Sequence, residues 1–350
     1  MKMMNLLRAG AAALAITTGA GVAQAHAGTV QLVESGSSLL YPLFNLWVPV
    51  YGANHSGVEI TTTSTGSGAG IAQSIKGLIN IGASDAYLSD ALVKDHPNML
   101  SIPLAISSQA INYNLPGVTT LKLSGPILVG IYEGKITKWN DPAIAAANPG
   151  VTLPDHEIIP IHRLDGSGDT FLFSQYLAAS DQSWSDTYHY STSISWPAVS
   201  GALGAKGNSG MLAALKANPY SVAYIGISYA DAVAKDGLGQ AALLNKAGNY
   251  VLPTTASIAA AAQSVADKTP ADERISMIFS PGEQAYPIVN YEYAVVNTKQ
   301  QDAATAKAVR DFLGWALTDG NDESFLKQVH FVPLPANVVA LSKAQIEKIK

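Results

Sequence analysis

The stretch from Ile158 to Ala179 reads IIPIHRLDGSGDTFLFSQYLAA. Its first part, 158–162, is short, rich in isoleucine and followed by a Gly/Ser-rich loop, which predicts a β-strand. The apolar residues that follow predict a helix over 170–179, directly after the loop. Strands that alternate with helices are typical of α/β folds. This segment therefore indicates the α/β class.

The same order of strand, loop and helix recurs along the chain. It predicts that the protein is built from repeated strand–helix units, with no sequence repeat. The further predicted elements are strands at 30–33, 58–63, 79–82 and 222–225, helices at 39–47, 69–76, 303–317 and 342–350, and candidate elements of either type at 127–132 and 211–216.

Composition excludes several classes of protein. The 350 residues carry a formal net charge of −5, and 48% of them are hydrophobic while 13% are charged. The acidic balance argues against a nucleic-acid-binding protein, and the apolar content argues against a disordered chain. The chain has no cysteine, which excludes a disulfide framework, a thiolate metal site and a lipid-modified cysteine.

The N-terminus has the layout of a cleavable export signal. Lys2 and Arg8 precede a short apolar stretch, and small residues then form an A-x-A site at 23–25. We therefore expect residues 1–25 to be a signal peptide. The mature protein is expected in the periplasm without a lipid anchor, with secretion to the medium as the alternative.

Three Gly/Ser-rich loops each lie between a predicted strand and a predicted helix. Loop 1 is Ser35–Leu39, loop 2 is Thr65–Gly70 and loop 3 is Asp165–Thr170. Glycine lets the backbone approach a ligand closely, and the first turn of a helix offers unpaired N–H groups with a partial positive charge. The three loops together could surround one small oxyanion. Each loop alone is more commonly a turn and a helix cap.

Two charged residues favour the oxyanion interpretation. Arg163 stands at the start of loop 3, and its planar guanidinium suits bidentate contact with a tetrahedral oxyanion. Asp165 could hold that guanidinium from behind. Asp85 follows a small-residue run at the end of a predicted strand. A surface ion pair is the alternative interpretation of Arg163.

Six segments together resemble a known family, the periplasmic phosphate-binding proteins that supply the high-affinity phosphate ABC transporter. The combination of G-A-S-D and R-x-D-G-S-G, in this order, is the specific part of the match. The segments are GSSLLYPLFNLW (36–47), STGSGAGI (64–71), IGASDAYLSD (81–90), IYEGKITKWNDPAI (131–144), HRLDGSGDTFLF (162–173) and GAKGNSG (204–210).

The resemblance implies a two-lobed periplasmic binding protein fold of type II, in which two mixed-sheet α/β lobes are joined by crossing strands. Lobe 1 would comprise residues 26–113 and 292–350, and lobe 2 would comprise residues 114–291. The segments expected to cross between the lobes are Asn112–Gly117 and Asn290–Asn297.

The resemblance also implies a set of phosphate ligands. Most of them donate hydrogen bonds, Asp85 is the one acceptor, and Asp165 orients Arg163 without touching the ligand. The implied donors are the N–H groups of Ser38 and Leu39, the hydroxyl and N–H of Ser67, the guanidinium of Arg163, the Ser167 hydroxyl, and the N–H groups of Gly168 and Asp169. The implied partners are inorganic phosphate and the permease and ATPase complex of the inner membrane. No cofactor, metal or nucleic acid is expected, and the protein should be a monomer.

Asp85 is the residue expected to distinguish phosphate from sulfate. Near neutral pH, phosphate carries at least one P–OH that can donate to a carboxylate, whereas sulfate would oppose lone pair to lone pair. A site built to bond a ligand hydroxyl can reject an analogue without it by a factor of about 10⁴ to 10⁵.

Two positions depart from the family pattern. Asp169 stands where threonine often supplies a hydroxyl. One hypothesis is that Asp169 shares a proton with the ligand, so that affinity falls as pH rises through neutrality. The other is that it points away and only complements the dipole of the following helix. Leu39 replaces an aromatic residue, which should matter little if only its N–H binds.

A phosphoester hydrolase is the alternative function from another class. It would need a metal pair or an activated nucleophile. The seven histidines form no H-x-H or H-E-x-x-H pattern, and no G-x-S-x-G motif occurs. His162 is interpreted as a structural strand residue. A receptor for another tetrahedral oxyanion, such as sulfate or molybdate, is the remaining alternative, and Asp85 argues against it.

Overall fold

The computed structural model describes residues 28–350, so the predicted signal peptide (1–25) lies outside the described residues. Strands and helices alternate along most of the chain, which confirms the α/β class. The strands are β1 (Val30–Gly36), β2 (Val58–Ser64), β3 (Ile81–Ser84), β4 (Met99–Asn114), β5 (Lys122–Leu123), β6 (Ile159–Arg163), β7 (Leu203–Ala205), β8 (Ser221–Gly226), β9 (Gly239–Gln240), β10 (Ala242–Leu244), β11 (Tyr250–Val251) and β12 (Val289–Asn297).

The helices are mostly short, and several begin at a side chain that accepts a backbone N–H. They are α1 (Tyr41–Asn54), α2 (Ser67–Ile75), α3 (Asp90–Asp95), α4 (Gly125–Tyr132), α5 (Pro142–Ala147), α6 (Gly168–Ser180), α7 (Gln182–Thr187), α8 (Gly207–Ala217), α9 (Ala230–Lys235), α10 (Thr255–Gln263), α11 (Ala303–Ala316), α12 (Glu323–Leu326) and α13 (Ala336–Ile346). The candidate element at 127–132 is part of helix α4. Pro126 suits the first turn of a helix, where its missing N–H is not needed, and the helix is buried on nearly every side.

One large sheet runs through the molecule in the order β2-β1-β3-β12-β4-β8-β6-β7, and β9 pairs with β4. β1 pairs in parallel with β2 and β3, and β6 pairs in parallel with β7 and β8. A separate small sheet has the order β11-β10-β5. Because parallel strands need crossover connections, each parallel group carries helices on its faces.

Strand β4 joins the two parallel groups. Its residues Met99 to Ser108 pair with β12, and its residues Gln109 to Asn114 pair with β8. The strand therefore changes partners between Ser108 and Gln109, earlier than the predicted crossing at Asn112–Gly117. All but the last residue of β4 is buried, as expected for a strand that is covered on both faces. The predicted lobe bounds stay a prediction.

The C-terminal part of the chain returns to the group that contains β1. Helix α11 packs on β1, helix α13 packs on β4, and the Ser74 hydroxyl donates to the carbonyl of Val295 in β12 at 2.7 Å. An aromatic cluster joins α1 to α11, and its members are Phe44, Trp47, Tyr51, Phe312 and Trp315. Burial of such large side chains stabilises this association over a long sequence separation.

A second aromatic cluster lies in the other half, where β6 and β8 meet α4 and α6. Its members are Tyr132, Phe173, Trp184, Trp196 and Tyr224. Trp139 is also fully buried. Across residues 28–350, no helix combines the length and the apolar character that crossing a bilayer would require.

The carboxyl ends of the two parallel groups face each other. Loops 1 and 2 follow β1 and β2, and loop 3 follows β6. The Gly68 N–H donates to the Gly166 carbonyl at 2.9 Å, so loops 2 and 3 are in direct contact. Ligands of open α/β sheets bind at such carboxyl ends, which makes this junction the place to look for a site.

Candidate anion-binding site

Loop 1 positions its side chains through Ser37, which the sequence analysis did not single out. The Ser37 hydroxyl accepts from the N–H groups of Leu39 and Leu40, both at 3.0 Å, and donates to Asp85 Oδ1. The N–H of Leu39 is therefore directed at Ser37. The Ser38 hydroxyl instead accepts from the backbone N–H and side-chain amide of Asn208, at 3.1 and 3.0 Å. Loop 1 is thus tied to both halves of the molecule.

Loop 2 brings Ser67 against Asp85. The Ser67 hydroxyl donates to Asp85 Oδ2 at 3.3 Å and accepts from the Asp85 N–H at 3.2 Å. Ser67 is the first residue of α2, so its N–H belongs to an unpaired helix start. Both residues are buried, with Asp85 only 1% exposed.

Loop 3 presents the start of helix α6 to the same carboxylate. Ser167 caps the helix by accepting from the Thr170 N–H at 3.2 Å, and its own N–H donates to the Thr192 carbonyl at 2.7 Å. Gly168 and Asp169 follow as the first helical residues, where no preceding turn supplies an acceptor for their N–H groups. A Cβ atom built on Gly168 would lie 2.3 Å from Asp85 Oδ2, so only glycine allows this approach.

Arg163 lies between two carboxylates. Its Nε donates to Asp165 Oδ1 at 2.8 Å, its Nη2 bonds Asp165 Oδ2, and its Nη1 donates to Asp169 Oδ2 at 2.6 Å. The guanidinium is 1% exposed. The bidentate contact with Asp165 holds the plane of the guanidinium in one orientation.

Asp169 is turned into the site and not toward solvent. Besides the contact with Arg163, its carboxylate accepts from the side-chain amides of Gln109 at 3.1 Å and Asn208 at 2.9 Å. It is 1% exposed. Its orientation therefore agrees with the hypothesis of a second carboxylate beside the anion and differs from the hypothesis in which it points away.

Burial raises the pKa values of both site carboxyl groups, and hydrogen-bond donors and Arg163 oppose the shift. Burial raises the pKa of Asp85, and the nearby Asp169 carboxylate raises it further, against the lowering effect of the Ser37 hydroxyl and Arg163. Burial also raises the pKa of Asp169, although Arg163, Gln109 and Asn208 oppose the shift. The main physical cause is that burial disfavours the charged form of each carboxyl group, and for Asp85 the like charge of Asp169 adds to this cost.

The charge of Arg163 is secured by its acidic neighbours. Burial alone would lower the pKa of Arg163, but the carboxylates of Asp165 and Asp169 raise it above the ordinary value. Burial tends to raise the pKa of Asp165 as well, but Arg163 and the Gly207 N–H outweigh this effect, so the pKa of Asp165 is lowered. The site thus keeps one permanent cation at its centre.

All the predicted site residues lie at this junction. Ser67, Asp85 and Gly168 are in mutual contact, and Arg163 is bound to Asp165 and Asp169. Ser38 joins them through Asn208, and Leu39 and Ser167 lie within the loops that surround them. Whether each of them binds a ligand stays a prediction.

Several residues of the site were missed from the sequence. Four residues lie against the two predicted carboxylates. Asp85 is met by Ser37 and Glu292, and Asp169 by Gln109 and Asn208. Asn208 lies in the quoted segment GAKGNSG, so the resemblance contained a signal for it. Gln109 and Glu292 lie inside the buried strands β4 and β12 and carry no local motif.

Two observations bear on the hydrolase alternative. The described residues contain no group of three or more His, Asp and Glu side chains placed to hold a metal ion. His162 stacks on Trp196 with ring centroids 5.1 Å apart, and its Nδ1 contacts the Arg163 carbonyl at 3.2 Å. These contacts describe a packed strand residue.

Comparison with known proteins agrees with this geometry. A sequence profile described as the PBP superfamily domain matches residues 22–320. The phosphate-binding protein PstS of Xylella fastidiosa (strain 9a5c) is 36% identical over 313 residues, which cover 89% of this chain and 83% of the relative. The chain belongs to the phosphate-binding protein family. This confirms the resemblance seen in the sequence.

Two further comparisons extend the family assignment and the fold. The phosphate-binding protein PstS of Pasteurella multocida is 34% identical over 316 residues, 90% of this chain and 89% of the relative. A high-affinity periplasmic phosphate-binding protein (PfluDING) solved with bound phosphate superposes with a TM-score of 0.71 at 22% identity, covering 90% of this chain and 93% of the other. The two-lobed periplasmic binding protein fold is confirmed.

Proposed function

We propose that this protein binds inorganic phosphate and delivers it to an ABC-type phosphate importer. The observation that carries the proposal is the placement of Asp85, which is buried where loop 2, loop 3 and Ser37 of loop 1 converge. Membership of the phosphate-binding protein family supports the same ligand.

The surroundings of Asp85 suit a protonated tetrahedral anion. Arg163 supplies one permanent positive charge, and the first turns of α2 and α6 supply N–H groups at Ser67, Gly168 and Asp169. These donors would bind sulfate equally well. Asp85 is the group that requires a P–OH from the ligand, because an ionised carboxylate can only accept.

Binding without turnover is the proposed mode of action. The Ser167 hydroxyl is engaged as a helix cap, and His162 stacks on Trp196 with its Nδ1 against the Arg163 carbonyl. Release of phosphate would then depend on separation of the two halves that meet at loops 2 and 3.

The cellular setting is proposed from the export signal and the family. We place the mature protein in the periplasm, as a monomer without a lipid anchor. Its partners there would be the permease and the ATPase of the importer in the inner membrane. The basis for the monomer is that each lobe supplies ligands to one shared site within a single chain.

Titration of the purified mature protein with phosphate and with sulfate, followed by calorimetry, tests the proposal. Wild-type protein should bind phosphate and reject sulfate. Asp85→Asn should weaken phosphate about tenfold, as expected for loss of one charge-assisted hydrogen bond, and should erode the rejection of sulfate. Asp95→Asn, an exposed carboxylate of the same lobe, is the matched control. Wild-type protein that binds neither anion, or unchanged selectivity in Asp85→Asn, would overturn the assignment.

A further inference from the structure

A second carboxyl group lies directly behind Asp85. Glu292 belongs to β12 and is fully buried. β12 and β3 run antiparallel with Tyr293 opposite Ser84. One step further along, Glu292 therefore comes opposite Asp85, the residue that follows β3. On its other edge, β12 pairs with β4, and the register of that pairing shifts between Glu292 and Tyr293. The register therefore brings the two carboxyl groups together from positions far apart in sequence.

The two oxygens of Glu292 have different environments. Oε1 accepts from the Asn290 side-chain amide at 2.9 Å and contacts the Ser107 hydroxyl at 2.5 Å. Oε2 is buried and has no hydrogen-bond partner among residues 28–350. The Asn290 side-chain amide that bonds Oε1 also donates to the Asp85 carbonyl at 3.4 Å, so one residue holds Glu292 beside Asp85. Oε2 is thus the oxygen left free to carry a proton toward Asp85.

Two carboxylates this close in a dry interior share a proton. Burial and the neighbouring Asp85 both raise the pKa of Glu292 well above its ordinary value. Asp85 has two hydroxyl donors, Ser37 and Ser67, and feels the charge of Arg163, all of which favour its ionised form. The other charged group near Asp85 is Asp169, which adds to the cost of ionising both members of the pair. The proton therefore belongs on Glu292.

We propose that Glu292 is a positioning residue for anion recognition, whose protonated Oε2 donates a hydrogen bond to Asp85 and holds Asp85 as an ionised acceptor for the P–OH of the ligand. This inference rests on the proposed phosphate binding. Without the donor, Asp85 would itself take up a proton more readily and could then donate to sulfate. Glu292 would thus maintain the selectivity that Asp85 exerts.

Infrared difference spectroscopy locates the proton directly. At neutral pH, the difference spectrum between the phosphate complexes of wild type and Glu292→Gln should contain the C=O stretch of a protonated carboxylic acid, whereas the difference between wild type and Asp85→Asn should not. Protonated groups common to all three proteins, such as Glu34, cancel in these differences. A band that disappears in Asp85→Asn and persists in Glu292→Gln would place the proton on Asp85 and overturn the inference.

Calorimetry with two substitutions tests the positioning role. Glu292→Gln keeps a donor and an acceptor, so it should bind phosphate within about threefold of wild type and still reject sulfate. Glu292→Met has similar length but no donor, so it should bind phosphate about tenfold more weakly, ~1.4 kcal/mol, and should admit sulfate. Equal selectivity in Glu292→Met and wild type would refute the role. Loss of selectivity in Glu292→Gln would refute it as well.

The controls separate this inference from the proposed function. Glu273→Gln replaces another fully buried glutamate, one that is bonded to Ser342 and Gln345 in α13. It should leave phosphate and sulfate binding unchanged. If wild-type protein binds no phosphate, the proposed function fails. If wild-type protein binds phosphate selectively and Glu292→Met does the same, only the role of Glu292 fails. If Glu292→Met does not fold, the infrared bands and Glu292→Gln still decide the outcome.

Discussion

Replacing Gly168 with alanine should prevent tight binding of the anion while leaving each half of the molecule folded. Gly168 is the first residue of helix α6 and has no positive φ angle, so its backbone accepts alanine without strain. The added methyl group would point at the opposite lobe. Its nearest neighbours there are Asp85 Oδ2 at 2.3 Å and the Ser67 hydroxyl at 2.5 Å.

The expected size of the effect follows from these distances. Both contacts are far shorter than ordinary van der Waals contact, and the atoms involved are held by hydrogen bonds. Relief would require loop 3 to move away from Asp85. Overpacking of a well-packed interior costs about 1 to 3 kcal/mol. If this whole cost falls on the bound, closed state, phosphate affinity becomes about 5- to 150-fold weaker.

Calorimetry with phosphate, together with thermal unfolding, is the assay. Gly168→Ala should bind more weakly by the stated factor, and its melting temperature without ligand should stay close to that of wild type. Gly314→Ala is the matched control, because a Cβ at this position in α11 meets nothing within 4 Å. That substitution should leave binding unchanged and should stabilise the helix by about 0.5 to 1 kcal/mol.

Two results would refute this reasoning. Wild-type affinity in Gly168→Ala would mean that loop 3 does not close on Asp85 when the anion binds. A large loss of thermal stability without ligand would mean that the contact between Gly168 and Asp85 belongs to the folded core and not to closure of the site.

Two more predictions concern buried carboxyl groups. Because burial raises the pKa of Asp169, its neutral form persists to higher pH, and loss of that proton places a second negative charge beside the anion. Phosphate affinity should therefore fall as pH rises over the range in which Asp169 loses its proton, and Asp169→Asn should flatten the calorimetric profile; parallel profiles would contradict this role. Burial raises the pKa of Glu34 from 4.5 to about 8, although hydrogen bonds from Thr62 and Thr63 oppose the shift. Between these two pH values the native protein keeps a proton on Glu34 that the unfolded protein has released. The free energy of unfolding therefore decreases as pH rises through this range. Glu34→Gln should gain about 3 kcal/mol over wild type in denaturant unfolding at pH 7 and nothing at about pH 4, whereas an equal gain at both values would exclude this linkage.

The local parts of the site were readable in advance because they depend on residues close together in sequence. A short apolar strand, a Gly/Ser loop and a helix start predicted loops 1, 2 and 3, and the structure places all three at the ends of parallel strands. Arg163 and Asp165 are only two residues apart, so a contact between them was a natural expectation. The resemblance to a family supplied what such patterns lack, namely the common ligand of the three loops.

Other features depend on pairing between distant segments. The sequence did not predict that β4 runs unbroken from Met99 to Asn114 and changes partners within its length. The sequence also did not predict that Ser37 accepts the N–H groups of Leu39 and Leu40 and reaches Asp85, while Ser38 turns to Asn208.

By itself, the amino-acid sequence determined the α/β class, the positions of the three loops and the charged residues beside them, because hydrophobic period and turn chemistry act over a few residues. Only the tertiary structure decided that Asp169 faces Arg163 and that Glu292 stands behind Asp85. The position of Glu292 behind Asp85 depends on the register of β12 against β3, which the packing of the whole sheet sets and no local pattern encodes. The contact of Asp169 with Arg163 lies within one lobe and depends on how loop 3 turns between β6 and α6.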